Sequence, residues 1–125
     1  MLKAEREAAA KREAELQQQL DEARDGMLAA RTERLILATG IANIHMRHPG
    51  MMKQGAFSLA ELSGGRFVLG LGSQIKPHNE RRFSVPWTAP APRMREYVQS
   101  IRAIFTCWQT GERLAYEGDH YQFTL

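Results

Sequence analysis

The sequence predicts an α/β fold built on a parallel sheet, and three observations favour this class. Two apolar runs, Leu35–Ile44 and Phe67–Leu71, have the continuous hydrophobicity of strands that are buried on both faces. A helical segment, residues 50–62, separates the runs and is long enough for the crossover that parallel strands need. A second helix with a broad apolar stripe follows. The predicted order is therefore helix, strand, helix, strand, loop, helix and hairpin.

Residues 2–30 are predicted to form one long helix, because Ala, Glu, Gln, Lys, Arg and Leu fill the segment and proline is absent. Apolar side chains recur along it at spacings of four and three: Leu16, Leu20, Ala23, Met27 and Ala30. This seam spans about two heptads, whereas a coiled coil needs about three to four. A mostly solvated helix whose last turns pack on the rest is favoured over a pairing helix. The chain is divided into this Ala/Glu/Gln-rich helix, residues 1–30, and an α/β domain, residues 31–125.

The ends of the later elements carry recognisable signals. Pro49 favours the start of the middle helix, and Gly64 and Gly65 favour its end in the left-handed conformation. Its predicted apolar face consists of Met52, Ala56, Leu59 and Ala60. The last helix is predicted to begin near Pro90 and to end at Gly111. Its stripe consists of Met94, Tyr97, Val98, Ile101, Ile104, Phe105 and Trp108. Residues 114–125 predict a short hairpin that turns at Gly118-Asp119.

Composition excludes several classes of protein. No run of about 18 apolar residues occurs, so no membrane span is expected. The first residues carry acids and lack an apolar core, so no secretory signal is expected. Cys107 is the single cysteine and cannot form an internal disulfide, which fits a reducing cytoplasm.

The charge is unevenly distributed. Residues 1–25 hold five Lys and Arg against seven Asp and Glu, whereas residues 26–125 hold twelve against seven. Nucleic-acid binders usually gather such an excess on one face, and here only Arg81 and Arg82 are adjacent. The excess fits an anionic small ligand as well as a polymer, and no nucleic-acid partner is expected.

Glycines mark the ends of both predicted strands. The stretch 64–73 fails the dinucleotide fingerprint at Ile75 and the phosphate-loop pattern at Leu71. Gly70 and Gly72 therefore either let a ligand approach the backbone or relieve crowding beneath a helix. Gly40 interrupts the first strand, which indicates either a kink or close contact with a ligand.

Few side chains suggest chemistry by their spacing. Beyond the first strand, Asn43 and His45 could hydrogen-bond a polar ring. No metal site is expected, because His45 and His48 are joined by no nearby Glu or Cys. Cys107 is expected to be a core thiol, since no charged partner is fixed to it by spacing. The catalytic residue stays unknown.

Four motifs in order resemble the bacterial luciferase-like oxidoreductases. They are Ala38-Thr39-Gly40-Ile41-Ala42, then the stretch from Leu62 to Ser73, then Arg93-Met94-Arg95-Glu96-Tyr97-Val98, and finally Tyr116-Glu117-Gly118-Asp119-His120-Tyr121. The resemblance covers about residues 27–125. The loop from Gln74 to Phe83 looks most like the branch that uses coenzyme F420.

The resemblance implies that the chain is a fragment of a (β/α)8 TIM barrel with a flavin or deazaflavin at the carboxyl ends of its strands. Leu35–Ile44 and Phe67–Leu71 would be the third and fourth strands, each followed by its helix, and Tyr116–Tyr121 an insertion hairpin. Family members carry a bulge with a non-prolyl cis peptide in the third strand, which falls at Gly40-Ile41 here. The cofactor-binding residues it implies are Gly40, Ile41, Ala42, Asn43, Gly72 and Ser73.

The implied activity is F420-dependent hydride transfer to or from a small-molecule substrate. An FMN-dependent monooxygenase of the same fold is the closest alternative, and a non-catalytic helical interaction module resting on residues 2–30 is another. Counterparts of the first two and last four strands are missing, so a truncated, inactive member is expected. Alone, the chain is expected to bind flavin weakly and to be poorly soluble or self-associating, because its strands keep unpaired edges. A homo-oligomer is left open.

Overall fold

The computed structural model describes residues 2–124 apart from the side chain of Gln18, so Met1 and Leu125, the ends of the predicted helix and hairpin, lie outside the described residues. The described helices are α1 (Leu2–Arg31), α2 (Pro49–Leu62) and α3 (Pro90–Thr110), with a π-helical segment at His78–Arg82. The described strands are β1 (Leu37–Ala38), β2 (Ala42–Asn43), β3 (Phe67–Val68), β4 (Leu71–Gly72), β5 (Ala115–Glu117) and β6 (Gln122–Thr124). The predicted mixed α/β class is confirmed.

The two predicted strands are parallel neighbours, as expected, but each is interrupted. β1 pairs with β3 and β2 pairs with β4, both in parallel register. The prediction of one continuous buried strand over Leu35–Ile44 was wrong, since Leu35 is 48% and Ile36 is 70% exposed. Each sheet has two strands within the described chain, so both of its outer edges lack a neighbouring strand.

Helix α1 runs unbroken through the predicted segment but buries a different face from the predicted seam. Leu16, Leu20 and Met27 are 49 to 63% exposed, whereas Ala14 and Ala29 are buried. The predicted seam is therefore wrong as a packing face. Packing of the last turns is confirmed, because α1 contacts both α2 and β1. No helix among residues 2–124 is long and apolar enough to cross a membrane.

Helix α2 begins and ends as its sequence predicts. The His48 side chain accepts a hydrogen bond from the Gly50 N–H at 3.1 Å, which caps the first turn. Gly64 and Gly65 follow with φ values of 64° and 84°, in the left-handed region. Of the predicted apolar face, Met52, Ala56 and Leu59 are buried and Ala60 is half-buried.

Lys53 is a buried charge that the helical pattern did not predict. Its side chain has no exposed surface, and its Nζ has no hydrogen-bond partner among the described residues. The ammonium group lies 5.5 Å from the ring centroid of Phe57, 5.0 Å from that of Phe105 and directly against Trp108. Burial lowers the pKa of Lys53 to about 8, against a smaller opposite effect of Cys107.

The core forms where α3 and the hairpin cover β2 and α2. Buried members of this cluster are Ala42, Ile44, Met52, Tyr97, Ile101 and Tyr121. The Tyr97 hydroxyl donates to the Arg47 carbonyl oxygen at 2.8 Å, so the largest buried side chain is also hydrogen-bonded. The predicted α3 stripe is largely confirmed, but Trp108 is 53% exposed at the end near Gly111.

Glu96 of α3 holds the β5–β6 hairpin. Its carboxylate accepts backbone N–H groups of Asp119 at 2.8 Å and His120 at 2.6 Å. A Cβ at Gly118 would lie 2.5 Å from a carboxylate oxygen of Glu96, so a larger residue there would displace this carboxylate. The hairpin that the sequence predicts is thereby docked onto the core.

Candidate cofactor site

A bulge interrupts the first parallel strand, between β1 and β2. Ala38 pairs with Val68 and Ala42 pairs with Leu71, so three residues on one strand face two on the other. The peptide bond Gly40–Ile41 within the bulge is cis, at the position that the resemblance implies. The bulge therefore lies at the predicted place.

Thr39 and Gly70 bridge the interruption. The Thr39 hydroxyl donates to the Gly70 carbonyl oxygen at 2.7 Å and accepts the Gly70 N–H at 2.8 Å. A Cβ at Gly70 would collide with the Thr39 carbonyl oxygen. Gly70 therefore permits the close approach of the backbones of two neighbouring strands, so the crowding that it relieves lies between strands and not beneath a helix.

Gly72 makes room for Ile41. A Cβ at Gly72 would lie 2.5 Å from Cδ1 of Ile41, so the space that glycine leaves is filled by this side chain. Ile41 still exposes 44% of its surface. Gly70 and Gly72 of the second strand thus leave the space that the bulge occupies. Ile41 lies in the bulge with part of its side chain exposed.

Polar side chains form one network at the carboxyl ends of β2 and β4. The Asn43 Nδ2 donates to the Asn79 Oδ1 at 2.6 Å, and the Asn43 Oδ1 accepts the His45 N–H at 3.0 Å. Asn79 also donates from Nδ2 to the Ser73 carbonyl oxygen at 2.8 Å. Asn43 and Asn79 are buried, so the network holds both strand ends and the following loop in one arrangement.

A cavity of about 360 Å³ opens beside the bulge. The backbone and side chains of residues 38–43 form one wall. Apolar side chains form much of the remainder: Leu28, Met52, Ala56, Leu59, Phe67 and Leu69. This volume lies within the range of about 300–1,000 Å³ that small-molecule sites occupy.

Four charged residues of α1 line the same cavity, namely Asp21, Glu22, Arg24 and Asp25. Much of their charge is compensated, because Glu22 pairs with Arg47 and Asp21 lies 3.8 Å from Arg24. Burial, reinforced by Asp21 and Glu22, raises the pKa of Asp25. The acidic rim is therefore less negative than its residue count suggests.

The structure places the predicted site residues in two neighbouring groups. Gly40, Ile41, Ala42 and Asn43 line the cavity together. Gly72 and Ser73 do not line it, but Gly72 pairs with Asn43 in the sheet. Sequence reasoning gave no role to Asn79 or to the acids of α1, since spacing along the chain does not show that a loop and a distant helix converge on one strand end.

No group of three His, Cys, Asp or Glu side chains that could hold a metal ion occurs among residues 2–124. Cys107 is free and half-buried rather than fully in the core. The arrangement at the bulge is suited to binding an apolar ring edged with hydrogen-bonding groups.

Comparison with known proteins identifies the class. The sequence profile of the luciferase-like monooxygenase family matches residues 26–125. The chain belongs to this family, and the resemblance of its motifs is confirmed.

Several curated relatives are similar over the same part. An uncharacterized protein of Mycobacterium tuberculosis is 47% identical over 95 residues, which are 76% of this chain and 28% of the relative. An F420-dependent glucose-6-phosphate dehydrogenase of Nakamurella multipartita is 35% identical over 98 residues, 78% of this chain and 28% of the relative. A 5,10-methylenetetrahydromethanopterin reductase of Archaeoglobus fulgidus is 33% identical over 97 residues, with the same coverage of 78% and 28%. The chain thus spans 28% of the length of these relatives.

Proposed function

We propose that this chain is part of a luciferase-like oxidoreductase that transfers a hydride between coenzyme F420 and a small-molecule substrate. The observation that carries the proposal is that Gly40–Asn43, the bulge and the strand after it, line one cavity whose other walls are largely apolar apart from the charged residues of α1. Relatives that are 35 to 36% identical are named as F420-dependent dehydrogenases, which favours the deazaflavin over FMN.

The residues present fit a flat conjugated ring. The cavity has the volume of a small-molecule site, and its walls combine exposed Ile41 with buried apolar side chains of α2. When bound, F420 supplies the hydride chemistry through its ring, and the protein supplies binding and orientation.

Each bulge residue would contribute in its own way. Gly40 leaves open space, since nothing lies within 4 Å of a Cβ built there, and Ile41 offers an apolar surface. Beyond its hydrogen bonds to Asn79 and His45, Asn43 keeps one amide hydrogen and one lone pair among the described residues, within a network that fixes its orientation. Met52 and Leu59 would exclude water from the buried side of the ring.

We also propose that the fold is a piece of a (β/α)8 barrel. In this arrangement β1 and β2 are the two parts of the third strand, and β3 and β4 are those of the fourth. α2 and α3 would be the following helices, and β5–β6 an insertion. The parallel pairing and the intervening helix support this proposal, and in an intact family member the remaining strands would close both edges.

The test replaces the matching segment of the intact Mycobacterium tuberculosis relative with residues 26–125 of this chain. Fluorescence titration of the hybrid with F420 and with FMN is expected to show binding of F420 in the micromolar range or tighter and much weaker binding of FMN. Ile41→Asp should weaken F420 binding at least about tenfold, since a carboxylate would be buried against an apolar ring. Ile75→Asp is a matched control, because Ile75 is 56% exposed and lies outside the cavity.

The outcomes separate the alternatives. Binding of FMN in preference to F420 would support the monooxygenase of the same fold. A folded hybrid that binds neither cofactor would contradict the enzyme proposal.

The second candidate, a helical interaction module, is favoured by one observation. Leu16 and Leu20 remain exposed on a helix that continues well beyond the turns packed on α2. Light scattering of a peptide of residues 2–30 tests it, and a strictly monomeric, weakly helical peptide would remove its basis.

A further inference from the structure

Part of α1 forms one wall of the candidate cofactor cavity. The lining residues of this wall are Asp21, Glu22, Arg24, Asp25 and Leu28. We propose that this part of α1, residues 21–28, is an autoinhibitory cover that must undock before an anionic cofactor enters the cavity. The inference rests on the proposed function only for the identity of the ligand, coenzyme F420.

The charged residues of the cover lie outside the part of the chain that the family profile matches. That match begins at residue 26, and all four charged residues precede it. The walls formed by the bulge, α2 and β3 lie within the matched part. The cover therefore adds an acidic wall to a cavity that the family segment forms.

Asp25 gives this wall a charge that no ion pair compensates. Glu22 pairs with Arg47. The Asp21 carboxylate lies 3.8 Å from the Arg24 guanidinium. Asp25 is half-buried and forms no ion pair within residues 2–124.

The docked position of α1 already disfavours the charge of Asp25. Burial, reinforced by Asp21 and Glu22, raises the pKa of Asp25. F420 is an anion at neutral pH, so its entry would place further negative charge beside the same carboxylate. Repulsion of this kind is strongest where little water screens it. The docked cover therefore opposes an anionic ligand more than a neutral one of the same size.

The cover is held most firmly at the C-terminal end of α1. Arg66 donates from Nη2 to the carbonyl oxygens of Ala29 and Thr32, each at 2.9 Å. Above the cavity the helix is held by the Glu22–Arg47 pair, whose side chains both keep some exposure to solvent. Local opening begins where buried contacts are few, so the cover can undock while the end at Arg66 stays in place.

Thiol modification measures this opening without any cofactor. Cys107→Ser removes the single cysteine, and Ala56→Cys places a thiol on the buried α2 wall of the cavity. The protein is the 125-residue chain with a cysteine-free soluble carrier at its C-terminus. The reagents are a neutral, an anionic and a cationic methanethiosulfonate of similar size. Leu59→Cys gives the same readout from the same wall if Ala56→Cys does not fold.

Two substitutions separate docking from charge. Glu22→Gln breaks the ion pair that holds the cover, so it should speed modification by the neutral reagent about fivefold. Asp25→Asn should raise the rate of the anionic reagent, relative to the neutral one, about threefold and should lower the relative rate of the cationic reagent. Glu15→Gln is the matched control, because it removes a charge from an exposed position of α1 outside the cavity. It should change neither quantity by more than about 1.5-fold.

Fluorescence titration with F420, in the same chains without the added thiol, connects the cover to the cofactor. Glu22→Gln and Asp25→Asn should each tighten F420 binding about threefold or more relative to Glu15→Gln. The proposal is overturned if Glu22→Gln and Glu15→Gln give equal thiol rates, or if Asp25→Asn leaves the ratio of anionic to neutral rates unchanged. Binding of F420 with equal affinity by all of these chains also overturns it. If the thiol rates change as expected but neither these chains nor the hybrid with residues 26–125 binds F420, the cover is supported and the proposed cofactor is wrong.

Discussion

The first five turns of α1 and the body formed by α2, α3 and the strands are stabilised in different ways. Among the described side chains of residues 2–21 Ala14 is buried, Ala10 is half-buried and the rest are exposed. This part of the helix therefore rests on residue propensity and weak surface pairs such as Lys3–Glu7. The body instead buries an apolar cluster that includes Ile44 and Tyr97. The first turns of α1 can therefore unfold while the body remains folded.

The largest effect is expected on self-association. Exposed apolar side chains occur on both regions. Ile36 and Val68 at the β1–β3 pair are 70% and 55% exposed, and Leu16 and Leu20 of α1 are 63% and 49% exposed. An open edge offers unpaired backbone groups as well as apolar surface, so the body should drive association. Ile36→Lys with Val68→Lys is expected to convert an associating chain to a monomer in size-exclusion chromatography with light scattering.

Leu16→Lys with Leu20→Lys adds the same charge to α1 and should leave association unchanged. If Leu16→Lys with Leu20→Lys produces the monomer and the strand substitutions do not, association is driven by α1 and not by the body. This result would support the helical interaction module. A wild-type chain that is already a soluble monomer would show that the edge argument is wrong.

The next largest effect concerns stability. Ile44 has no exposed surface, and its truncation to alanine should lower the free energy of unfolding by about 2–5 kcal/mol. Leu16→Ala removes the same class of apolar contact from α1 and should change it by less than about 0.5 kcal/mol. Urea unfolding of both variants, in the monomeric Ile36→Lys/Val68→Lys background, measures the difference. Equal losses would mean that α1 and the body unfold as one unit.

How much of this could be predicted from sequence depends on whether the signal is local. The periodicity of α3 correctly predicts that Tyr97, Ile101 and Ile104 are buried. Periodicity failed for α1, because the packing face is set by partners elsewhere: Glu22 lies against Gly55, and Gly26 faces Leu59 and Leu62 of α2. No period of α1 encodes the positions of those partners.

The candidate site shows the same division between features that a local sequence signal predicts and contacts between distant parts of the chain. The bulge position came from the family resemblance and not from hydrophobicity, since a run such as Leu35–Ile44 carries no sign of an interruption other than Gly40. The cofactor roles of Gly40, Ile41, Ala42, Asn43, Gly72 and Ser73 stay predictions. Asn79 could not be assigned from sequence, because its bond to Asn43 joins residues 36 positions apart.

A smaller effect, of opposite sign, is expected at Lys53. A buried ammonium without a hydrogen-bond partner opposes folding, so Lys53→Met should raise the free energy of unfolding by about 1–3 kcal/mol. The folded pKa of about 8 lies below the ordinary 10.5, so the unfolded chain holds more protons between these values. Stability of the wild type should therefore rise with pH from about 8 upward, and this rise should be absent in Lys53→Met.

Thermal unfolding between about pH 7 and 9.5 measures the rise below the ordinary tyrosine range of ~10. Lys76→Met is the control, because the Lys76 side chain is 64% exposed and lies 3.7 Å from Glu80. It should change neither the stability nor its pH dependence appreciably. If Lys53→Met lowers the free energy of unfolding, the buried charge stabilises the contact between α2 and α3, and the prediction is wrong.

The smallest effect is expected where the two regions meet. Glu22 pairs with Arg47, and both side chains are partly buried, at 29% and 15% exposure. A Cβ at Gly55 would lie 3.0 Å from the Glu22 carboxylate, so the pair is enclosed between α1 and α2.

Glu22→Gln keeps the shape and removes the charge, and it should weaken docking of α1 by about 1 kcal/mol. Hydrogen exchange of the amides of residues 23–31 should accelerate about fivefold, while those of α3 keep their protection. Asp21→Asn removes the same charge from a 58% exposed side chain and should change neither rate. If Glu22→Gln accelerates exchange in α3 as much as in α1, the junction belongs to the body, and the boundary between the two regions lies further towards the N-terminus.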